Sequence, residues 1–359
     1  AAVALGGLKA RTLLALLVMH RNTVVSTDRL AAALWDRFPM ARDLEFSVEV
    51  DPRSFSQDRA QALAAAGVTR VSVGVQDLTP RVQESINRIQ TLAETAQVVD
   101  WLRQEGVNGI NVDLMYGLPH QTVDGVIATA KAIVDRLSPD RLAVFGYAHV
   151  PWMKRHQQMI PEDALPDGVG RFEQAEAVAA YLLERGYVRI GFDHFARPGD
   201  SLAVARQHGA LHRNFQGYTV DDAPALIGLG ASAISALPEG YAQNAPRIDD
   251  YAAAIMAGRL ATVRGVALTD EDRLRREAIE RLMCDFVLDT EALAETFGRP
   301  AGHFAPALEA LQPLVADGMV IIENGRIRVA SRGRPFVRIA AAAFDQYLTP
   351  TAKRHARAI

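Results

Sequence analysis

Five short β-branched runs each end on side chains able to bind ligands or move protons. Their ends carry Glu49 and Asp51, Gln76 and Asp77, Asp113, Tyr147 and His149, and Asp193 and His194. A carboxylate accepts hydrogen bonds from hydroxyl and amino groups, a glutamine both donates and accepts, and an imidazole titrates near neutrality. One acid behind one strand reads as a helix cap or turn former. Five polar strand ends in series point instead to a pocket, because the parallel strands of an α/β barrel bring their C-terminal ends to one face. Further along, His208 and His212 have a spacing that could grip a metal from a helix. Gly209 disfavours that helix and no third ligand accompanies the pair, so no metal site is expected. Tyr147, Phe215 and Tyr218 could stack on a flat ligand or equally pack in the core.

The elements that must position these groups follow one rhythm. The runs Glu45–Val50, Arg70–Val75, Gly109–Leu114, Arg141–Tyr147 and Val188–Phe192 alternate with helix-period stretches. Gly67, Gly106 and Gly186 each stop a helix shortly before a run, and Thr91 with Glu94 forms a capping box. Strands alternating with helices predict right-handed βαβ units and a parallel sheet or barrel. Beyond residue 193 come polar loops at Asp193–Asp200 and His212–Thr219, then a Gly/Ala/Ser stretch over Ile227–Ser235, a texture typical of functional loops. From Thr269 the chain is helical again, with apolar periodicity over Leu274–Leu288 and Phe304–Leu314. Asn324-Gly325 then predicts a hairpin between Met319–Glu323 and Arg326–Ala330, giving a winged-helix-like C-terminal domain. The opening stands apart from this rhythm: Arg11–Met19 and, capped by Ser26, Thr27–Trp35 read as a helix-turn-helix start. Three regions result: 1–38 outside the barrel, 39–265 as partial barrel and substrate loops, and 266–359 as the helical domain.

Composition bounds the function. The 359 residues, 49% apolar and 23% charged, suit a globular protein of about two domains. Thirty-nine basic against forty-two acidic side chains give a net charge of −3, which argues against an extended nucleic-acid-binding face. The apolar stretch Leu13–Met19 is far short of the roughly 18 residues of a spanning helix, and Ala1–Gly7 lacks a secretory pattern, so a cytoplasmic protein without a membrane segment is expected. Cys284 is the single cysteine, among Ile279, Leu282, Met283 and Phe286, and its neighbours predict burial.

The segments Ser47–Pro52, Ser72–Asp77, Asn87–Gln90, Asn111–Pro119, Tyr147–His149, Asp193–Pro198 and His212–Thr219 together resemble the radical S-adenosylmethionine enzymes of the oxygen-independent coproporphyrinogen III oxidase family. The resemblance runs from about residue 43 onward and implies a partial (β/α) barrel holding a [4Fe–4S] cluster and two S-adenosylmethionine molecules, with a C-terminal helical domain over its mouth. The implied reaction converts two propionates of coproporphyrinogen III to vinyls, yielding protoporphyrinogen IX in haem biosynthesis. By resemblance, Glu49 and Val266 contact the cofactor at the cluster, and Gln76, Arg88, Asp113 and Ala148 contact the second one. A tetracarboxylate substrate asks for cations and donors, for which His194, Arg197, His212 and Arg213 are candidates; catalytic residues are not assigned.

The family's closely spaced cluster cysteines and its Gly-Gly-Gly-Thr-Pro segment have no counterpart in these 359 residues. Residues 5–36 instead resemble the opening of a winged-helix domain of antibiotic-regulatory transcriptional activators, so a fused or truncated product, inactive by itself, is expected. An exposed edge on the first barrel strand would then favour self-association. The alternatives are a catalytically dead porphyrinogen- or S-adenosylmethionine-binding remnant and a DNA-binding regulator, against which the incomplete motif and the charge of −3 both argue.

Overall fold

The computed structural model describes residues 44–348. The helix-turn-helix expected within residues 1–38 and the basic tail after 348 lie outside the described residues.

Alternation of apolar and polar residues in β1 to β3 and a buried apolar run in β4 build the central sheet. Strands β1 (Ser47–Val50), β2 (Arg70–Gln76), β3 (Gly109–Tyr116) and β4 (Arg141–Gly146) lie side by side in chain order, all parallel. Successive side chains of a strand face opposite ways. Val71, Val73, Val75, Ile110, Val112, Leu114, Leu142 and Val144 therefore pack against Val98, Val99 and Leu102 of the helix Leu92–Gln104 and Ile133, Val134 and Leu137 of the helix Val123–Leu137. The opposite parity, with Glu49, Ser72, Asn111 and Asp113, occupies the other face. Gly67, Gly106 and Gly186 take φ of 84°, 88° and 84°, the left-handed geometry that a helix stop requires, and the Thr91–Glu94 capping box is formed.

The fifth run departs from expectation. Instead of one parallel strand over Val188–Phe192, the chain forms β5 (Val188–Ile190), turns at Gly191, and returns as β6 (His194–Ala196), which inserts antiparallel between β4 and β5. Gly191 has φ of 56°, and the Tyr218 ring occupies the space a Cβ there would need. The reversal thus depends on a glycine that both turns the chain and admits an aromatic ring.

The segment His212–Thr219, expected as a loop, forms a hairpin of β7 (His212–Asn214) and β8 (Gly217–Thr219). A separate antiparallel sheet follows, from β9 (Ile234–Leu237), β10 (Gly240–Asn244) and β11 (Thr262–Ala267), so the stretch expected as a loop to Ser235 ends in a strand. The C-terminal region has the expected winged-helix arrangement. The helix Asp270–Asp285 leads into β12 (Val287–Asp289), three short helices follow, and β13 (Val320–Glu323) pairs with β14 (Arg326–Val329) across Asn324-Gly325, both at positive φ. The sheet order is β12-β14-β13, around a core containing Leu282, Phe304, Ile327 and Phe344.

At the N-terminal end of the parallel strands an ionic network closes the sheet. Arg141 donates from Nε to Asp200 at 2.8 Å and from Nη2 to Glu45 at 3.0 Å, while Arg70 bonds Asp200 at 3.0 Å and lies 3.2 Å from Glu45.

Candidate functional site

Pairing register assembles a row of residues at the opposite end. Gly74 lies beside Asp113, Asp113 beside Ala143, and Ala143 beside His194. One step nearer the base run Glu49, Ser72 and Asn111. Small residues thus alternate with functional ones along the row. Ser72 Oγ donates to Asp113 Oδ2 at 3.0 Å, and Asn111 Nδ2 donates to Asp113 Oδ1 at 2.8 Å and to Ser72 Oγ at 2.7 Å. Burial raises the Asp113 carboxyl above its ordinary range, and the Glu49 charge pushes the same way, against the hydrogen bonds and His194.

Arg88 covers Gly74. Its Nη2 donates to the Gly74 carbonyl at 2.8 Å and approaches Asp51 Oδ1 at 3.4 Å. The β2–β3 register shifts between Gly74 and Gln76, and Gln76 takes φ of 70°, so a bulge re-aims its amide. A Cβ on Gly74 would lie 3.2 Å from both Arg88 Nη2 and Gln76 Nε2, so any larger side chain would have to displace one of them. Asn111 Oδ1 and Gln90 Oε1 are buried acceptors without a hydrogen-bond partner among the described residues. A buried acceptor left open is costly, and both sit beside this row or under Gly74, whose carbonyl also receives Gln90 Nε2 at 3.3 Å. Ala148 follows β4 at the same end, with its carbonyl held by Gln157 Nε2 at 3.0 Å.

His194 contributes a fixed imidazole. Its Nδ1 lies 2.6 Å from Asp193 Oδ1, and its ring meets Phe145 and Tyr218 edge to face at 5.6 and 5.3 Å. His212 is held 3.0 Å from Glu280 on the helix Asp270–Asp285, and Arg213 lies over the Tyr218 ring, next to His194. Phe215 meets Tyr241 of β10 edge to face at 5.5 Å, and Tyr241 pairs with Val266 of β11, which is 57% exposed. Val266 therefore reaches the hairpin through Tyr241 and lies outside the row. Arg197 is not brought to the mouth. It donates to Ser138 Oγ at 2.8 Å and to the Pro139 carbonyl at 3.2 Å, before the start of β4, because antiparallel β6 carries the chain away to the base.

Ser72, Asn111 and Gln90 escape a reading confined to strand ends. The first two share the parity of Asp113, and that period of two is the signal that finds them. Among the described residues no group of three or more His, Cys, Asp or Glu is arranged to hold a metal, and no helix is long and apolar enough to cross a membrane.

Comparison with known proteins adds two family models: the Radical SAM superfamily over residues 19–133 and the HemN C-terminal domain over residues 268–336. The oxygen-independent coproporphyrinogen III oxidase of Bradyrhizobium diazoefficiens is 49% identical over 330 residues, 92% of this chain and 73% of its own length. That of Paracoccus denitrificans is 48% identical over 321 residues, 89% of this chain and 70% of its own length. The solved structure of coproporphyrinogen III oxidase (HemN) from Escherichia coli, a radical SAM enzyme, superposes with a TM-score of 0.86 at 36% identity, covering 94% of this chain and 82% of that one.

Proposed function

The chain belongs to the oxygen-independent coproporphyrinogen III oxidase family of radical SAM proteins, and from that premise we propose that its polar face binds S-adenosylmethionine and coproporphyrinogen III in the oxidative decarboxylation of haem biosynthesis. In this reading the described part of region 39–265 forms the cofactor and substrate layer of a cytoplasmic protein, and the described part of region 266–359 covers its mouth. The observation that carries the proposal is the row beside Gly74, where Arg88 and Gln76 close over the glycine next to Asp113, with unfilled acceptors on Asn111 and Gln90. Reduced by one electron from a cluster, bound S-adenosylmethionine would supply hydrogen-atom abstraction from a propionate; the residues present here bind and orient it. Asp113 and Glu49 accept from ribose hydroxyls or the amino group, Gln76 and Arg88 donate to its carboxylate, and the Ala148 loop and Val266 supply further contacts. His194, His212 and Arg213 face the substrate carboxylates, and Arg197 steadies the base of the sheet.

A [4Fe–4S] cluster does not fit these residues. Cys284, the only thiol in the 359 residues, is 0% exposed among Ile190, Leu202, Leu211 and Tyr218, and burial pushes it up to about 12. That observation favours a second reading, a protein that binds S-adenosylmethionine or a porphyrinogen without turning it over.

Equilibrium binding tests the site. Wild-type protein should bind S-adenosylmethionine, with Arg88→Gln and Asp113→Asn each weakening it about tenfold, as expected for a lost charge-assisted hydrogen bond. Asp113→Asn should at the same time raise the melting temperature at pH 7. With its pKa raised on folding, Asp113 binds more protons in the folded than in the unfolded chain, so stability falls as pH climbs from the ordinary aspartate range through the raised value. The amide removes that loss, for a gain of about 2–4 °C per kcal/mol recovered. A wild-type protein that binds neither S-adenosylmethionine nor coproporphyrin III would end the proposal.

Among the described residues β1 pairs only with β2, and its other edge meets no described strand. An unpaired edge is a template for another strand, and we propose that the protein self-associates through it. Light scattering should show dimers or larger species; a monodisperse monomer with protected amides across residues 45–50 would contradict this.

A further inference from the structure

Two guanidinium groups from distant parts of the chain lie over one ring beside the mouth. Arg213 of β7 has its Cζ 5.8 Å from the Phe192 ring centroid and 5.5 Å from that of Tyr218. Arg338, on the helix Val337–Ala342, lies 5.7 Å from the same Phe192 centroid. Phe192 occupies the turn between β5 and β6, immediately before Asp193 and His194, so both cations stand at the end of the sheet where Asp113 and His194 lie. Arg338 is also close enough to act electrostatically on the hydroxyl of Tyr116, the last residue of β3.

Among the described residues neither guanidinium donates a hydrogen bond or completes an ion pair. The carboxylates around them are already engaged: Asp193 by His194 at 2.6 Å, and Glu280 by His212 at 3.0 Å and by the backbone N–H of Arg213 at 3.2 Å. Arg213 and Arg338 are both exposed, so water solvates their donors and screens their repulsion. Two planar guanidiniums on one ring, with no acceptor among the described residues, can exchange that water for a carboxylate.

We propose that Arg213 and Arg338 together bind one carboxylate of the substrate, with Phe192 as the apolar floor beneath it. This deepens the reading above and rests on it: one propionate of the tetracarboxylate is anchored at this pair while another lies toward His194 and Asp113. Since Arg338 belongs to the C-terminal domain, that domain supplies a substrate ligand as well as covering the mouth.

The test is fluorescence titration of the full chain with coproporphyrin III, the stable oxidised tetracarboxylate, and with its tetramethyl ester. Arg213→Gln and Arg338→Gln should each weaken coproporphyrin III binding about tenfold. Arg338→Lys should retain part of the affinity, and S-adenosylmethionine binding by the Arg338 variants should match wild type. The ester should bind the wild-type and both Gln variants equally. Undiminished coproporphyrin III binding in both Gln variants, or an equal loss for acid and ester, overturns this inference while leaving the proposed function in place. Failure of the wild-type protein to bind coproporphyrin III overturns this inference, and failure to bind S-adenosylmethionine as well overturns the proposed function.

Discussion

Anaerobic reconstitution of these 359 residues with iron and sulfide should yield no [4Fe–4S] absorbance band, and incubation with S-adenosylmethionine and a reductant should release no 5′-deoxyadenosine above background. The expected effect is complete loss of turnover, because cluster irons are held by thiolates and the sequence offers one cysteine. Cys284 cannot serve even as a partial ligand. It lies on the helix Asp270–Asp285, packed under Tyr218 and Leu211, and burial, reinforced by Glu280 and Asp285, raises its thiol so that the thiolate a metal needs is disfavoured. Cys284→Ala should therefore leave the iron content unchanged. Binding of S-adenosylmethionine should survive, since the donors and acceptors around Gly74 need no metal to be in place. A cluster that forms and turns over in a preparation free of other chains would refute this, and iron analysis with chromatography of the nucleoside gives the answer directly.

Where local patterning decides, the fold is legible in the sequence. β1, β2 and most of β3 alternate, β4 is a buried apolar run, and the glycines that stop the helices take positive φ, so period and punctuation coincide. Asn324-Gly325 fixes its hairpin for the same reason. The reversal at Gly191 is not legible, because β5 and β6 have three residues each and the turn depends on Tyr218 arriving from later in the chain. One consequence concerns Arg197. Read as a continuation of a strand end it belongs with His194, yet three residues of antiparallel strand carry it about 10 Å toward the base, where it bonds Ser138 and Pro139. Gln76 is legible as a strand end, whereas the bulge that turns it is not, and Asp113 lies inside β3, which runs on to Tyr116 instead of ending at Leu114. Arg338 carries no local signal at all, since only the packing of the C-terminal helix beside Phe192 gives it a role.

Arg141→Met should cost about 3–5 kcal/mol of stability, the loss expected when one member of a buried ion network is removed. Arg141 is 8% exposed and Asp200 3%, and the guanidinium bonds both Asp200 oxygens, both Glu45 oxygens and Ser201 Oγ. Deleting it leaves Arg70, at 3.0 Å from Oδ2, as the one cation on Asp200 among the described residues, in a site that is 3% exposed. Asp200 also caps the helix Ser201–Gln207 through the Leu202 N–H at 2.9 Å, so the damage spreads to that helix. The acid limb of stability should change as well. Burial alone would raise the Glu45 carboxyl, but the charges and hydrogen bonds of Arg141 and Arg70 together hold it below its ordinary value. A depressed carboxyl contributes stability that is present above its unfolded pKa and lost as pH falls through the folded one. Without Arg141 that contribution shrinks, and the variant should differ from wild type less at pH 3 than at pH 7. Urea denaturation at both pH values measures this. The coupled variant Arg141→Met with Asp200→Asn should lose less than the two single losses added together, because each removes the charge the other leaves stranded. A single-variant cost under about 1 kcal/mol, the range of solvent-screened surface pairs, would show that water reaches the network and that it does not hold the base of the sheet.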